Sequence, residues 1–302
     1  MLVFLDRRRA SGRLSPFAAE FIDPGTGKGG PMPPTTGTAD VNGAVLYYEV
    51  AGEGEPLVLV HAGIADGRMW DAQVDAFSRR YRTIRYDLRG FGRSPMVPGP
   101  FSHHADLRAL LDDLGIDRAA LVGCSMGGGA VVDFALENPE RAEALVLVGA
   151  AVGGLEFDEG PPGEWDELVA ADEAGDLERV SELEVRMWVD GPRRGPDVVD
   201  PAVRDLVREM NLIALKNEAT QPGEELEPET PAASRLSQIR APTLVLVGDE
   251  DRARTLAAAD LLGGAIPGSR KTVMSGTAHL PNMERPEEFN RLVLDFLEGR
   301  KP

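Results

Sequence analysis

The residue best placed to do chemistry is a serine, Ser125, in the run Gly123-Cys124-Ser125-Met126-Gly127. An apolar run over residues 119–122 precedes it, and a helical pattern over residues 130–137 follows. A strand, a sharp turn and a helix in this order are typical of a nucleophile elbow, which holds a serine hydroxyl clear of a sheet at a helix N-terminus. The alternative is a glycine-rich turn that only packs tightly.

A serine hydroxyl becomes a good nucleophile when a base takes its proton and an acid orients that base. Of the four histidines, only His279 follows Ser125 in the chain. Serine, then acid, then histidine is the order expected with this elbow, so His279 is the predicted base. His61 ends an apolar run and is interpreted as a support for the next loop, and His103 and His104 are assigned to a loop.

The orienting acid is expected in a loop between the serine and the histidine, at the carboxyl end of a strand. An apolar run that ends at Gly248 is followed directly by three acids. Asp251, the last of them, is the predicted partner of His279, ahead of Asp249 and Glu250. A solvated turn is the alternative for the other two acids.

A tetrahedral intermediate needs two N–H donors for its negative oxygen. The first predicted donor is the backbone N–H of Met126, the residue after the nucleophile. The second is expected in the loop that begins at His61, where Gly63 allows close backbone approach and Ile64 is the second choice.

Short apolar runs alternate with helical patterns between residues 56 and 150, and the same texture resumes at residue 242. This alternation predicts an α/β fold with a doubly wound, mostly parallel sheet. Ligands bind such sheets at the carboxyl ends of the strands, where the glycine loops of this sequence fall.

Residues 153–236 lack strand-like runs and carry acidic helical segments, which predicts a helical cap over the active edge. A solvated appendage is the alternative. Residues 10–38 are rich in Gly, Pro, Ser and Thr. The charge order at the N-terminus does not fit a secretory signal, and we hypothesise that Met32 is the natural start, with residues 1–31 an upstream extension. The predicted division is a flexible tail at 1–38, an α/β core at 39–152 and 237–302, and a cap at 153–236.

The composition of the chain limits the classes of partner that it can bind. The 302 residues carry a formal net charge of −18, which disfavours nucleic acid as a partner. The single cysteine, Cys124, excludes a disulfide framework and cysteine-based metal clusters. No apolar run is long enough to span a membrane. We expect a cytoplasmic protein with neither metal nor cofactor, and a homo-oligomer remains open.

Taken together, these motifs resemble α/β-hydrolase-fold serine hydrolases of the esterase, lactonase, haloperoxidase and proline-iminopeptidase group. The matching pieces are His61-Ala62-Gly63-Ile64, Asp87-Leu88-Arg89-Gly90-Phe91-Gly92-Arg93-Ser94, Gly123-Cys124-Ser125-Met126-Gly127-Gly128, Gly248-Asp249-Glu250-Asp251 and Gly276-Thr277-Ala278-His279. The resemblance strengthens Asp251, because the family's acid usually stands three residues after the strand-ending glycine. Two departures are Ala62, where the family more often has Gly, and Arg252, where a proline often follows the acid.

The resemblance implies a cofactor-free serine hydrolase that cleaves a carboxylic ester of a small, apolar substrate through an acyl-enzyme. A lactonase such as an enol-lactonase, a carbon–carbon bond hydrolase and a perhydrolase are alternatives that use the same residues. An α/β-hydrolase-fold ligand receptor with little turnover is the alternative from another class. The expected substrate contacts are Ile64, Trp188, Met210 and Leu280, for which packing is the competing interpretation.

Overall fold

A computed structural model describes residues 34–157, 160, 163–220 and 223–299. Its strands are β1 (Thr35–Val41), β2 (Ala44–Ala51), β3 (Pro56–Val60), β4 (Arg82–Tyr86), β5 (Gly99–Phe101), β6 (Ala119–Cys124), β7 (Ala142–Val148), β8 (Gly223–Glu225), β9 (Thr243–Gly248) and β10 (Arg270–Met274). Its α-helices are α1 (Asp71–Phe77), α2 (His103–Asp113), α3 (Met126–Glu137), α4 (Trp165–Glu173), α5 (Leu177–Val185), α6 (Pro201–Thr220), α7 (Ala253–Ala265), α8 (Pro281–Glu284) and α9 (Pro286–Glu298). None of these helices is long and apolar enough to cross a bilayer.

The main sheet has the strand order β1-β2-β4-β3-β6-β7-β9-β10. The β1–β2 and β2–β4 pairs are antiparallel, and every later pair is parallel. Because parallel strands end at the same edge, the loops after β6, β9 and β10 meet there. Those loops carry Ser125, Asp251 and His279.

Helices cover both faces of the sheet. Within β3, Leu57 and Leu59 pack on the face covered by α1 and α9, whereas Val58 and Val60 pack on the face covered by α2, α3 and α7. Strands buried on both faces read as continuous apolar runs, which is how β3 reads in the sequence. The doubly wound, mostly parallel α/β architecture predicted from sequence is confirmed.

Helices α4 to α6 lie between β7 and β9 in sequence and pack against one another. A π-helix, Arg186–Asp190, continues α5. We call residues 165–220 the helical insertion. Its own small core contains Leu168, Val180 and Leu183, and Val207 of α6 joins the core that contains Leu57. The insertion is therefore packed on the sheet domain.

The first strand begins earlier than the sequence suggested. Residues 35–38, assigned to the flexible tail, belong to β1, which pairs with β2 across a tight turn. Asn42 and Gly43 both have positive φ, 47° and 78°, as the two central residues of a hairpin turn require. Residues 1–33, with Met32 and most of the predicted tail, lie outside the described residues.

Two further expectations are corrected. The region 153–236 is not free of strands, because β8 pairs with β5 in a two-stranded sheet. Strands of three residues are too short to show an alternating pattern. His103 and His104 are the first two residues of α2 rather than part of a loop.

Candidate active site

The backbone at Ser125 is strained. Ser125 lies between β6 and α3 with φ of 52° and ψ of −117°, a conformation that L-residues rarely adopt. Neighbouring backbone holds it in place. Its N–H donates to Val148 O at 2.9 Å, and its carbonyl accepts from Gly129 N and Ala151 N, both at 3.0 Å. This geometry is that of a nucleophile elbow.

Two glycines allow the elbow to form. A Cβ on Gly123 would lie 2.5 Å from Gly127 O, and a Cβ on Gly127 would lie 2.6 Å from Val60 O and closer still to His61 O. Only glycine fits at such distances. The elbow therefore rests directly on the end of β3, where the loop with the second predicted oxyanion donor begins.

His279 and Asp251 form a buried pair. His279 Nδ1 lies 2.8 Å from Asp251 Oδ2, and the side chains are 4% and 1% exposed. Asp251 Oδ1 accepts a second hydrogen bond, from Arg252 N at 2.7 Å. A Cβ on Gly149, just after β7, would lie 3.3 Å from Nδ1 and 3.5 Å from Oδ2. The pair thus stands at the end of β7, the strand whose Val148 holds Ser125.

The three acids after Gly248 have separate partners. Asp249 accepts from Ser275 Oγ at 2.8 Å and from Gly276 N, and so braces the loop before the histidine. Glu250 pairs with Arg193 at 2.9 Å. Asp251 alone of the three contacts the imidazole.

The predicted oxyanion donors lie at the same edge of the sheet as Ser125, because β3 and β6 are parallel neighbours. Within the described chain, the N–H groups of Gly63 and Ile64 donate no intramolecular hydrogen bond. Met126 is the first residue of α3, so its N–H has no intrahelical acceptor. Among the described residues these three N–H groups have no backbone acceptor outside their own elements, and the choice of Gly63 with Met126 stays a prediction.

Residues 55–286 match the model of a protein family described as the alpha/beta hydrolase fold. The chain belongs to the alpha/beta hydrolase fold family. A curated relative, 2-hydroxy-6-oxo-6-phenylhexa-2,4-dienoate hydrolase from Comamonas testosteroni, is 30% identical over 86% of this chain and 94% of its own length. Carboxylesterase YbfK from Bacillus subtilis (strain 168) is 26% identical over 80% of each chain. The crystal structure of an enol-lactonase from Burkholderia xenovorans LB400 has a TM-score of 0.71 and 28% identity, covering 87% of this chain and 100% of that one.

These relatives are hydrolases, so hydrolysis is the activity that family membership supports. The names of these three relatives specify different kinds of compound: a dienoate, a carboxylic ester and an enol-lactone.

His61 fastens two loops of the hydrolase. Its Nδ1 donates to Ala62 O at 2.8 Å, and its Nε2 accepts from Leu88 N at 2.8 Å. Burial lowers the pKa of His61, which keeps the ring neutral for this donor–acceptor arrangement. Asp87 adds to the link by accepting from Gly67 N and Arg93 N, each at 2.8 Å. The loop after β3 is therefore tied to the loop after β4.

Two of the four expected substrate contacts border the site. The Trp188 ring lies 4.7 Å from the His279 ring, with an interplanar angle of 39°. Trp188 is half-buried, which leaves part of the indole accessible. Ile64 is 5% exposed, next to the predicted oxyanion donors.

The structure does not support the other two expected contacts. Met210 and Leu280 have no exposed surface and belong to the buried core. The Met210 thioether instead accepts from Asp66 N at 3.4 Å, which holds α6 against the loop after β3. Both residues pack the interior, and an apolar residue type does not by itself distinguish a pocket wall from a core position.

Sequence analysis missed Arg194 and Glu284. These side chains form an ion pair at 2.6 Å, and each is 8% exposed. Glu284 Oε1 also accepts from Ala278 N, one residue before His279, at 2.7 Å. No motif marks either residue, because the sequence gives no sign that an arginine of the insertion reaches the loop that carries the histidine.

A polar cavity of about 150 Å³ lies between the insertion and the loops after β3 and β4. Its lining includes Arg68, Arg85, Glu49 and Asp66, and none of the three predicted catalytic residues. Arg68 pairs with Asp66 at 2.8 Å, and Arg85 pairs with Glu49 at 2.7 Å. The charges that line this cavity therefore largely neutralise one another.

Proposed function

We propose that this chain is a serine hydrolase that cleaves a carboxylic ester of a small apolar compound through an acyl-enzyme on Ser125. The observation that carries the proposal is the buried 2.8 Å hydrogen bond between His279 Nδ1 and Asp251 Oδ2. It lies at the sheet edge where Ser125 is held in its strained conformation. An ionised carboxylate only accepts hydrogen bonds, so Nδ1 carries the imidazole proton and Nε2 is the basic atom.

Acylation begins when Ser125 Oγ attacks the ester carbonyl carbon while His279 Nε2 takes the hydroxyl proton. Asp251 stays ionised and stabilises the imidazolium. The tetrahedral intermediate collapses as the bond to the alkoxy oxygen breaks. The imidazolium returns its proton to that oxygen, and the alcohol leaves.

Deacylation repeats these steps with water. His279 takes a proton from water, and the hydroxide oxygen attacks the acyl carbon. When the bond to Ser125 Oγ breaks, the serine oxygen takes the proton back from His279 and the carboxylic acid leaves. In both halves the N–H groups of Met126 and Gly63 hold the negative oxygen, an interaction worth about 10²–10³ in kcat per donor.

Two hydrophobic side chains support an apolar substrate. The Trp188 ring, from the insertion, lies 4.7 Å from the His279 ring, and Ile64 belongs to the loop that carries the predicted oxyanion donor Gly63. In this proposal the insertion covers the site and keeps bulk water from the acyl-enzyme.

The test is turnover of p-nitrophenyl acetate and butyrate by the wild type, Ser125→Ala and His279→Ala. Both variants should lose at least about 10³ in kcat. Ser234→Ala is the matched control, because Ser234 is exposed and its hydroxyl donates only to Pro231 O. A Ser125→Ala variant that retains more than a tenth of wild-type turnover would refute the proposal.

A second candidate is hydrolysis of a carbon–carbon bond beside a ketone. The Comamonas testosteroni relative, at 30% identity over nearly its full length, is named for 2-hydroxy-6-oxo-6-phenylhexa-2,4-dienoate. Serine attack at the 6-oxo carbon is the same first step with a carbon leaving group. A panel with that dienoate, an enol-lactone and the two p-nitrophenyl esters separates the candidates by kcat/KM.

A further inference from the structure

Arg194, in the segment between the π-helix and α6, has a partner for every one of its donors. Nε donates to Asp190 O at 2.7 Å. Nη1 donates to Gly276 O at 2.9 Å and to Glu284 Oε2 at 2.6 Å, and Nη2 donates to Val189 O at 2.7 Å and to Glu284 Oε1 at 3.3 Å. All five guanidinium N–H groups are satisfied, which a lysine could not reproduce.

These acceptors come from two parts of the molecule. Asp190 and Val189 end the π-helix of the insertion, whereas Gly276 lies in the loop that leads to His279 and Glu284 ends α8. Glu284 passes the connection on, because its Oε1 also accepts from Ala278 N at 2.7 Å. Arg194 thus fixes the residues on either side of the predicted base to the insertion.

The same stretch of the insertion contacts the loop directly. His279 N donates to Trp188 O at 3.4 Å. Gly191 packs closely, since a Cβ there would lie 3.1 Å from Ala278 Cβ and 2.6 Å from Glu250 O. Residues 188–194 therefore press on the loops that carry both His279 and Asp251.

We infer that Arg194 is a positioning residue for His279, acting through Glu284 and the backbone of residues 276–278. This inference rests on the proposed function in taking His279 as the base. The insertion then has a second role besides covering the site, because it helps to set the distance between the imidazole and Ser125. The Arg194 and Glu284 side chains are each only 8% exposed, so solvent and salt screen their ion pair less than they screen a surface pair.

A misplaced base lowers kcat more than it raises KM, because the base acts in the chemical steps. A displacement of about 1 Å can cost about 10²-fold in rate. We expect Arg194→Met to lower kcat about 10- to 100-fold with KM changed less than threefold, and to raise amide hydrogen exchange over residues 276–280.

The experiment compares three variants with the wild type. Arg194→Met leaves Glu284 buried without its cation, so the double variant Arg194→Met/Glu284→Gln removes that charge while its amide oxygen still accepts from Ala278 N. Arg186→Met is the matched control: Arg186 lies in the π-helix that precedes Arg194, but its guanidinium pairs with Glu182 at the surface. It should match the wild type in kcat and in hydrogen exchange.

A fall in kcat together with faster exchange at residues 276–280 in the folded double variant supports the inference. A folded double variant with kcat within twofold of the wild type, or with lower kcat but unchanged exchange at residues 276–280, overturns it. If the wild type turns over none of the esters, lactones and dienoates, the proposed function fails, whereas the exchange measurement still shows whether Arg194 holds the loop.

Discussion

The indole ring of Trp188 lies 4.7 Å from the imidazole ring of His279 and is tilted by 39°. An aromatic face attracts a cation, so this contact should stabilise the imidazolium of the proposed mechanism by about 1 kcal/mol. Trp188→Leu should lower kcat/KM roughly fivefold, whereas Trp188→Phe should keep most of the activity.

Steady-state kinetics on one p-nitrophenyl ester checks the Trp188 prediction. Trp165→Leu is the control, because Trp165 begins α4 within the same insertion. Equal losses in the leucine variants at positions 188 and 165 would show that the contact with His279 contributes nothing specific.

Asp251→Asn should remove the charge that fixes the imidazole tautomer in the proposed mechanism. An amide can donate to Nδ1, which places the imidazole proton on the wrong nitrogen, so kcat should fall by about 10³–10⁴. Glu250→Gln, which neutralises an acid paired with exposed Arg193, should stay within twofold of the wild type. Comparable kcat values for Asp251→Asn and Glu250→Gln would remove Asp251 from the mechanism.

Gly127→Ala and Gly129→Ala form a matched pair in the first turn of α3. At residue 127 the new methyl group would collide with the carbonyls of Val60 and His61, whereas at residue 129 its nearest contact is 3.4 Å away. Urea unfolding should show Gly127→Ala destabilised by more than about 2 kcal/mol. Gly129→Ala should be unchanged or stabilised by up to about 1 kcal/mol, since alanine favours a helix interior. Equal stability of the two variants would contradict the tight packing of the elbow on β3.

His103 predicts a specific pH dependence of stability. Burial, to which the nearby positive charge of Arg89 adds, lowers the pKa of His103 to about 3 in the folded protein. In the unfolded chain this histidine binds its proton near pH 6.5. The free energy of unfolding therefore falls by about 1.4 kcal/mol per pH unit as pH drops from about 6.5 towards 3, because only the unfolded state is protonated in that window.

The measurement is urea unfolding of wild type and His103→Phe at pH 7.5, 6.0 and 5.0. The ring of His103 already packs against Phe101 at 5.1 Å, and among the described residues its Nδ1 has no hydrogen-bond partner. Below pH 6.5 the free energy of unfolding of His103→Phe should rise relative to that of the wild type by about 1.4 kcal/mol per pH unit. A difference independent of pH would show that His103 is not held neutral.

The sequence was most informative where backbone conformation restricts residue type. Local sterics require the glycines around Ser125, so residue types and spacing were enough to predict the turn. The elbow in turn sets the expected chain order of serine, acid and histidine, which made His279 the predicted base. The choice of Asp251 needed more, because three adjacent acids look alike. Only the fold shows that one faces the imidazole while Asp249 braces Ser275.

The contacts between the insertion and the loop that carries His279 could not be predicted from the sequence. Arg194 looks like a surface arginine, and three of its five acceptors are backbone carbonyls, which exist at every residue. The expected substrate contacts Met210 and Leu280 are buried instead. Their apolar character suits a pocket or a core equally, and only the fold shows that Met210 of α6 and Leu280, just before α8, lie in the core.

The most direct test of nucleophilic catalysis is covalent trapping of the enzyme with a fluorophosphonate, followed by intact mass measurement and peptide mapping. One equivalent should add to the wild type, on Ser125, and none to Ser125→Ala, with slower addition to His279→Ala. Labelling of another residue, or ester hydrolysis by wild-type enzyme that the reagent neither labels nor inhibits, would contradict attack by Ser125.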